Sequence, residues 1–196
     1  LILDIILPSM TTLALSPRRS ATVTAVGIVG FAAAVAAASQ IAIPIPGTPV
    51  PFTLQPMLVV LAGMLLGPAA GATSMLLYLL AGAAGLPVFT PIGLPGIARF
   101  FGPTGGYLLA YPAAALVAGL LARRTTTLGG RWLAATVGII VVFVGGLTQL
   151  TILNGSVARA VQLGVTPFAA LDLVKAFIAA AICGSAPRTG RPRQAD

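Results

Sequence analysis

No Asp, Glu, Lys or Arg interrupts the chain from Ser20 to Ala98. A run of roughly 80 uncharged residues is long enough for three membrane crossings at about 20 residues each. A cleaved signal peptide or a single anchor is far shorter. The whole chain is only 7% charged and 58% hydrophobic, whereas soluble domains carry about 25% charged residues. So few charges cannot cover a water-facing surface. The solvent for most of this chain is therefore lipid. The fold class expected is all-α, a polytopic membrane protein of about six transmembrane helices.

The net charge of +8 does not point to nucleic acid. The arginines stand in short clusters at the ends of apolar runs, where lipid headgroups and topology rules favour them. The lone cysteine, Cys183, supplies neither a disulfide framework nor a metal set and suits packing in an apolar helix. Histidine is absent, which removes the commonest metal ligand and the commonest general base. No cofactor, metal or catalytic residue is expected.

Proline, glycine and charge divide the apolar sequence into helices expected over residues 21–43, 52–66, 69–86, 104–122, 132–153 and 167–184. Pro44, Pro46, Pro49 and Pro51 forbid regular helix between the first two, because proline lacks the donor and clashes inside a helix. Gly67-Pro68 marks a tight turn. Thr166 is expected to cap the last helix, with Pro167 at its first position. The membrane domain then covers residues 21–184. Residues 1–20 are read as a disordered extension or a mis-set start, Met10 being a more natural one. Residues 185–196 are read as a polar cytoplasmic tail.

Six crossings put both termini on one side. That side holds Arg18, Arg19, Arg123, Arg124, Arg131, Arg188, Arg191 and Arg193; the other holds Arg99 and Arg159. The positive-inside rule makes the first side cytoplasmic. The proline-rich connections 44–51 and 87–103 then face outward, with 154–166. The expected location is the cell membrane, crossed several times. The first helix is crowded with small residues, among them Ala33 and Ala37. Such spacing allows close helix contact in lipid, either within this chain or against another membrane subunit.

Only Asp172 and Lys175 are ionisable residues inside an expected span. Three apart on one helix, they share a face. A charge at the centre of a span costs about 2.5–3.5 kcal/mol on insertion scales, and pairing lowers that cost without removing it. One reading is an ion pair that fixes the last helix in place. The other is a polar floor beneath an outward pocket: the carboxylate accepts from a ligand N–H, and the ammonium donates to a carbonyl or carboxylate. Gln55 and Tyr107 lie one turn into their helices at a similar depth and are candidates for the same pocket. Glycines 105 and 106 allow backbone to approach a ligand closely. Tyr78 and Gln149 are read as bonding neighbouring helices. Arg99 is an outer cation, of a kind mostly solvated or bound to lipid phosphate, that could also attract an anionic ligand. Lys175 is the only lysine and follows no glycine-rich loop, so a nucleotide-binding P-loop is excluded. Energy for transport would have to come from a partner.

These segments resemble a known family in order and content. The stretch Ile43-Pro-Ile-Pro-Gly-Thr-Pro-Val-Pro-Phe-Thr-Leu-Gln55 is similar to the segment between the first two helices of BioY proteins. Leu65-Leu-Gly-Pro68, Tyr78-Leu-Leu-Ala-Gly-Ala-Ala-Gly-Leu-Pro-Val-Phe89 and Phe101-Gly-Pro-Thr-Gly-Gly-Tyr107 follow. Gly164-Val-Thr-Pro-Phe168 leads to Asp172-Leu-Val-Lys-Ala176, which resembles the family's closing motif. The chain departs from the pattern at Leu171, where a turn-forming residue is expected, and in the variable stretch 90–98.

The resemblance implies a biotin-specific substrate-binding (S) component of an energy-coupling-factor transporter. It implies biotin as ligand, with a transmembrane T subunit and cytoplasmic ATPase subunits as partners. It also implies that Asp172 and Lys175 bind the vitamin, and that the small-residue face with Ala33 and Ala37 docks the T subunit. The expected function is biotin uptake without catalysis by this chain. The alternatives are an S component for another small vitamin, a structural scaffold, and a membrane-embedded lipid-acting enzyme. The last is disfavoured by the lack of any visible nucleophile–base pair.

Overall fold

The computed structural model describes residues 21–185. The expected extension, and all of the expected tail except Ser185, lie outside the described residues. Seven α-helices follow one another: α1 Ala21–Gln40, α2 Gln55–Leu66, α3 Pro68–Ala83, α4 Gly105–Ala122, α5 Leu128–Asn154, α6 Val157–Gly164 and α7 Ala169–Ser185. A 3-10 segment, Gly96–Phe101, precedes α4. The chain is all-helical among the described residues apart from a single antiparallel bridge, Ile43 to Phe52.

That bridge is what the prolines leave possible. α1 stops at Gln40, short of the expected residue 43, and the four prolines keep the next segment out of helix, so that it doubles back through a turn at Gly47, φ +84°. Ile43 and Phe52 exchange both backbone hydrogen bonds, at 2.9 and 2.8 Å. Helix resumes at Gln55 rather than at Phe52, and Thr53 Oγ1 accepts from the Gln55 N–H at 3.3 Å. The α2–α3 turn is one residue, Gly67 at φ +92°, a conformation that glycine adopts without strain. Pro68 then opens α3, where its missing N–H costs nothing.

Two expectations for the C-terminal third are corrected. The connection 154–166 is largely helix: Gly155 turns the chain at φ +67°, and Ser156 Oγ caps α6 by accepting from the Arg159 N–H. Thr166 does not cap the last helix. Its hydroxyl donates backward to Val161 O at 3.2 Å, the Thr166 N–H does the same at 3.0 Å, and Pro167 falls in the turn that follows. α7 therefore starts at Ala169, bent 55° from α6. α5 also begins earlier than expected, because Thr127 Oγ1 caps it through the Gly130 N–H at 3.1 Å.

α4 is the central helix, packed against α2, α3 and α5. Small residues bring the backbones together. A Cβ on Gly63 would strike the Ala115 carbonyl, and Gly106 and Gly145 face each other across α4 and α5 with no room for side chains. Such small-residue contacts are how helices associate in lipid. Large apolar side chains point outward, among them Val26, Leu80, Leu133, Val144 and Ile152. An apolar exterior of this extent belongs to a membrane protein. By length and composition α1, α4 and α5 can each cross a membrane, and the bent α6–α7 pair makes a fourth crossing if taken as one. α2 and α3, at 12 and 16 residues, reach about 18 and 24 Å at 1.5 Å per residue, short of the roughly 30 Å hydrocarbon core.

Candidate functional site

Lys175 is the anchor of the site. Its neighbours come from two elements. Asp172, three residues earlier on α7, places Oδ1 2.6 Å from Nζ. From the bridged segment, the Thr53 carbonyl accepts from Nζ at 2.7 Å, and the Phe52 ring centroid lies 3.8 Å away. The helical spacing provides the ion pair; the bridge to Ile43 sets Phe52 and Thr53 over it. An ammonium has three donors, and two are taken. The third can serve the cavity that Lys175 lines.

That cavity encloses about 590 Å³ of space between atoms, its open mouth and solvent included. Gln55 lines it from the first turn of α2. Its Nε2 donates to Tyr78 Oη at 2.7 Å, and its Oε1 accepts from Thr53 Oγ1 at 3.3 Å. Tyr107 lines it from α4, and its hydroxyl donates to Gly164 O at 2.9 Å. The Tyr107 ring lies directly on Gly146, where any side chain would displace it. Tyr107 therefore offers the cavity mainly its ring, since its donor is committed.

Arg99 enters from the 3-10 segment and is 4% exposed. Nη1 donates to Thr90 Oγ1 at 3.1 Å and to Ile92 O at 2.5 Å. Nη2 donates to Thr90 O at 2.5 Å. The Nε donor is buried with no acceptor among the described residues. Burial lowers the guanidinium pKa from its ordinary value, yet arginine starts so high that it remains charged at neutral pH. Asp172 is the only acid among the described residues and is paired with Lys175. The arginine thus has neutral acceptors on part of its surface and no counter-charge. A buried cation in that state favours an anionic ligand.

Four of the five residues expected to bind ligand therefore line one cavity: Gln55, Arg99, Tyr107 and Lys175. Asp172 borders a different, apolar crevice between α5 and α7, adjoining the main cavity's cation. With α7 starting at Ala169, the pair lies about 4 and 9 Å into the helix, shallower than the cap at Thr166 implied. Ala33 and Ala37 are far from this chemistry and exposed on the outer face of α1. Sequence reasoning left out Tyr78, which is 1% exposed and lines the cavity instead of only bonding helices. It also left out Tyr111, Phe89 and Thr90. One signal was available: Tyr107 and Tyr111 are four apart and share a helix face. Gln149, also read as a polar bridge, does not line the cavity. Among the described residues no three His, Cys, Asp or Glu side chains could hold a metal.

Residues 10–191 match the BioY family. A probable biotin transporter BioY of Pyrococcus horikoshii is 41% identical over 152 residues, 78% of this chain and 88% of that protein. The biotin transporter BioY of Thermotoga maritima is 35% identical over the same shares of each chain. The crystal structure of the S-component for biotin from an ECF-type ABC transporter superposes with a TM-score of 0.77 at 27% identity, covering 83% of this chain and 89% of that one.

Proposed function

The chain belongs to the BioY family, and from that membership we propose that it captures biotin as the substrate-binding subunit of an energy-coupling-factor importer. The observation that carries this reading is one cavity lined by two cations of different character. Lys175 is neutralised by Asp172, so it suits an uncharged polar group. Arg99 has no counter-charge, so it suits an acid. Biotin carries both groups: a neutral cyclic urea with N–H donors and a carbonyl, and a carboxylate on a flexible apolar stem. Lys175 donates its free N–H to the urea carbonyl, and Asp172, which does not line the cavity, holds that ammonium through the ion pair. Arg99 takes the carboxylate. Gln55 and Tyr107 complete the polar and aromatic wall, with Phe89, Phe143 and Phe168 around the apolar stem. No cofactor and no catalytic residue is needed for capture, and the family is one of transporters, not enzymes.

The same reading extends to topology and partners. The chain crosses the cell membrane six times with both termini cytoplasmic, α6 and α7 together forming the last crossing. A transmembrane T subunit docks on α1, where Gly30, Ala33 and Ala37 form an exposed strip of small residues, and cytoplasmic ATPases supply the energy. Equilibrium binding of labelled biotin to the purified, detergent-solubilised chain tests the ligand. Saturable binding displaced by unlabelled biotin, and not by thiamine or riboflavin, is expected. Displacement by another vitamin in preference to biotin would reassign the ligand and keep the transporter.

A further inference from the structure

Arg99 does not hold itself in place. Three of its contacts go to Thr90 and Ile92, in a segment with no regular secondary structure. Gly93, at φ +108°, continues that wrap, and a Cβ there would lie 2.6 Å from Nη1. A guanidinium aimed by a loop is only as well placed as the loop. What fixes this loop lies immediately upstream, and it comes from α1.

The last turn of α1 sets two side-chain donor groups against three successive carbonyls, with the Ala36 carbonyl of the helix itself also within reach of both. Ser39 Oγ is 2.6 Å from Val88 O. Gln40 Nε2 is 3.3 Å from Pro87 O and 3.1 Å from Phe89 O, and 2.8 Å from Ser39 Oγ. Ser39 is fully buried. From the other side the Phe89 ring fills the space above Gly82 and meets Tyr78 and Phe100 edge-on at 5.4 and 5.7 Å. Residue 89 is thus clamped through its backbone by α1 and through its ring by the core. Thr90, the next residue, holds Arg99.

We propose that Ser39 and Gln40 are positioning residues for recognition of the ligand's acidic end, acting through the 87–90 backbone and Thr90 on the Arg99 guanidinium. Neither residue lines the cavity. Both stand on α1, Ser39 on its buried face and Gln40 at the end of the exposed face that carries Ala33 and Ala37, so the aim of Arg99 is tied to α1. The inference rests on the biotin reading, because it needs a carboxylate for Arg99 to meet.

The test compares biotin with its primary amide on the purified full chain, with Tm recorded for each variant. The amide keeps the urea and the ring and lacks only the charge. Wild type is expected to prefer the acid by about tenfold or more, the scale of one charge-assisted hydrogen bond. Arg99→Gln should abolish that preference. Gln40→Ala and Ser39→Ala should each lower it several-fold, with amide affinity and Tm near wild type. Gln40 is exposed, so its variant folds even if Ser39→Ala does not. Full acid preference in Gln40→Ala, while Arg99→Gln has lost it, overturns the relay and leaves the biotin reading intact. Parallel loss of acid and amide affinity also overturns it, for then these residues support the fold and not the guanidinium. Failure of the wild-type chain to bind biotin at all defeats both.

Discussion

Lys175 and Asp172 are each 5% exposed, and each is the other's only ion-pair partner among the described residues. Removing one leaves the other buried and unpaired. Lys175→Ala and Asp172→Ala should each lower stability by about 3–5 kcal/mol and abolish biotin binding. The double variant Asp172→Asn with Lys175→Met should recover Tm without recovering binding. Full binding by the double variant would show the pair to be structural only. Tyr107 makes the opposite kind of contribution. Its hydroxyl ties α4 to the end of α6 through Gly164 O, while its ring forms the wall. Tyr107→Phe should lose about 1 kcal/mol of stability and keep biotin affinity within a few-fold. Gly146→Val, which displaces the ring from behind, should lose affinity. Equal binding losses in the two would assign a ligand contact to the hydroxyl.

At the scale of elements, α1 has two faces with separate tasks. Ala32, Val35 and Ser39 are buried against the bundle, whereas Ala33 and Ala37 are exposed. The sequence left open whether those alanines pack within the chain; their exposure puts them on the outside of the bundle, the face that the proposed docking would use. Close contact in lipid depends on small residues, so a large side chain there should block docking and leave the isolated chain intact. Ala33→Trp and Ala37→Trp are each expected to bind biotin like wild type, with sharply reduced co-purification with a T subunit and reduced ATP-dependent uptake. Binding and uptake that fall together would place the alanines inside the fold. Unchanged uptake in both would end the docking role.

For the whole molecule the open quantity is orientation. Arg123, Arg124 and Arg131 gather at the turn from α4 into α5, while Arg99 stands in the 3-10 segment before α4 and Arg159 in the first turn of α6. On the proposed topology the positive-inside bias turns the cavity toward the exterior. In a Cys183→Ser background, Thr126→Cys should react with an impermeant thiol reagent only from the cytoplasmic side, and Leu94→Cys only from outside. Leu94 is chosen over the neighbouring Gly93, whose positive φ would be strained by any side chain. The reverse pattern would turn the cavity toward the cytoplasm and defeat capture of an external nutrient.

The sequence by itself determined the solvent and the element type. Uncharged stretches must satisfy their backbone internally in lipid, and helix is the way a single segment does so. It also located the site's charges, because an ionisable residue inside an apolar helix is rarely idle, and it brought out Gln55 and Tyr107 by their scarcity. Helix ends were less legible. Thr166 and Pro167 read as a start, yet the Thr166 hydroxyl bonds backward to α6, a choice between two carbonyls and N–H groups that local pattern does not decide. The short α6 was missed for a related reason: eight residues between Gly155 and Thr166 have the length of a connection, although Ala160 and Gly164, four apart, form one buried face. Only tertiary structure decided which polar groups meet. Tyr78 reaches Gln55 across 23 positions, and Lys175 reaches Thr53 across 122. Those partnerships depend on how closely α2, α3, α4 and α7 approach one another. That approach is set by Gly63, Gly71, Gly106 and Gly119, residues that carry no chemistry and whose effect appears only when the helices pack.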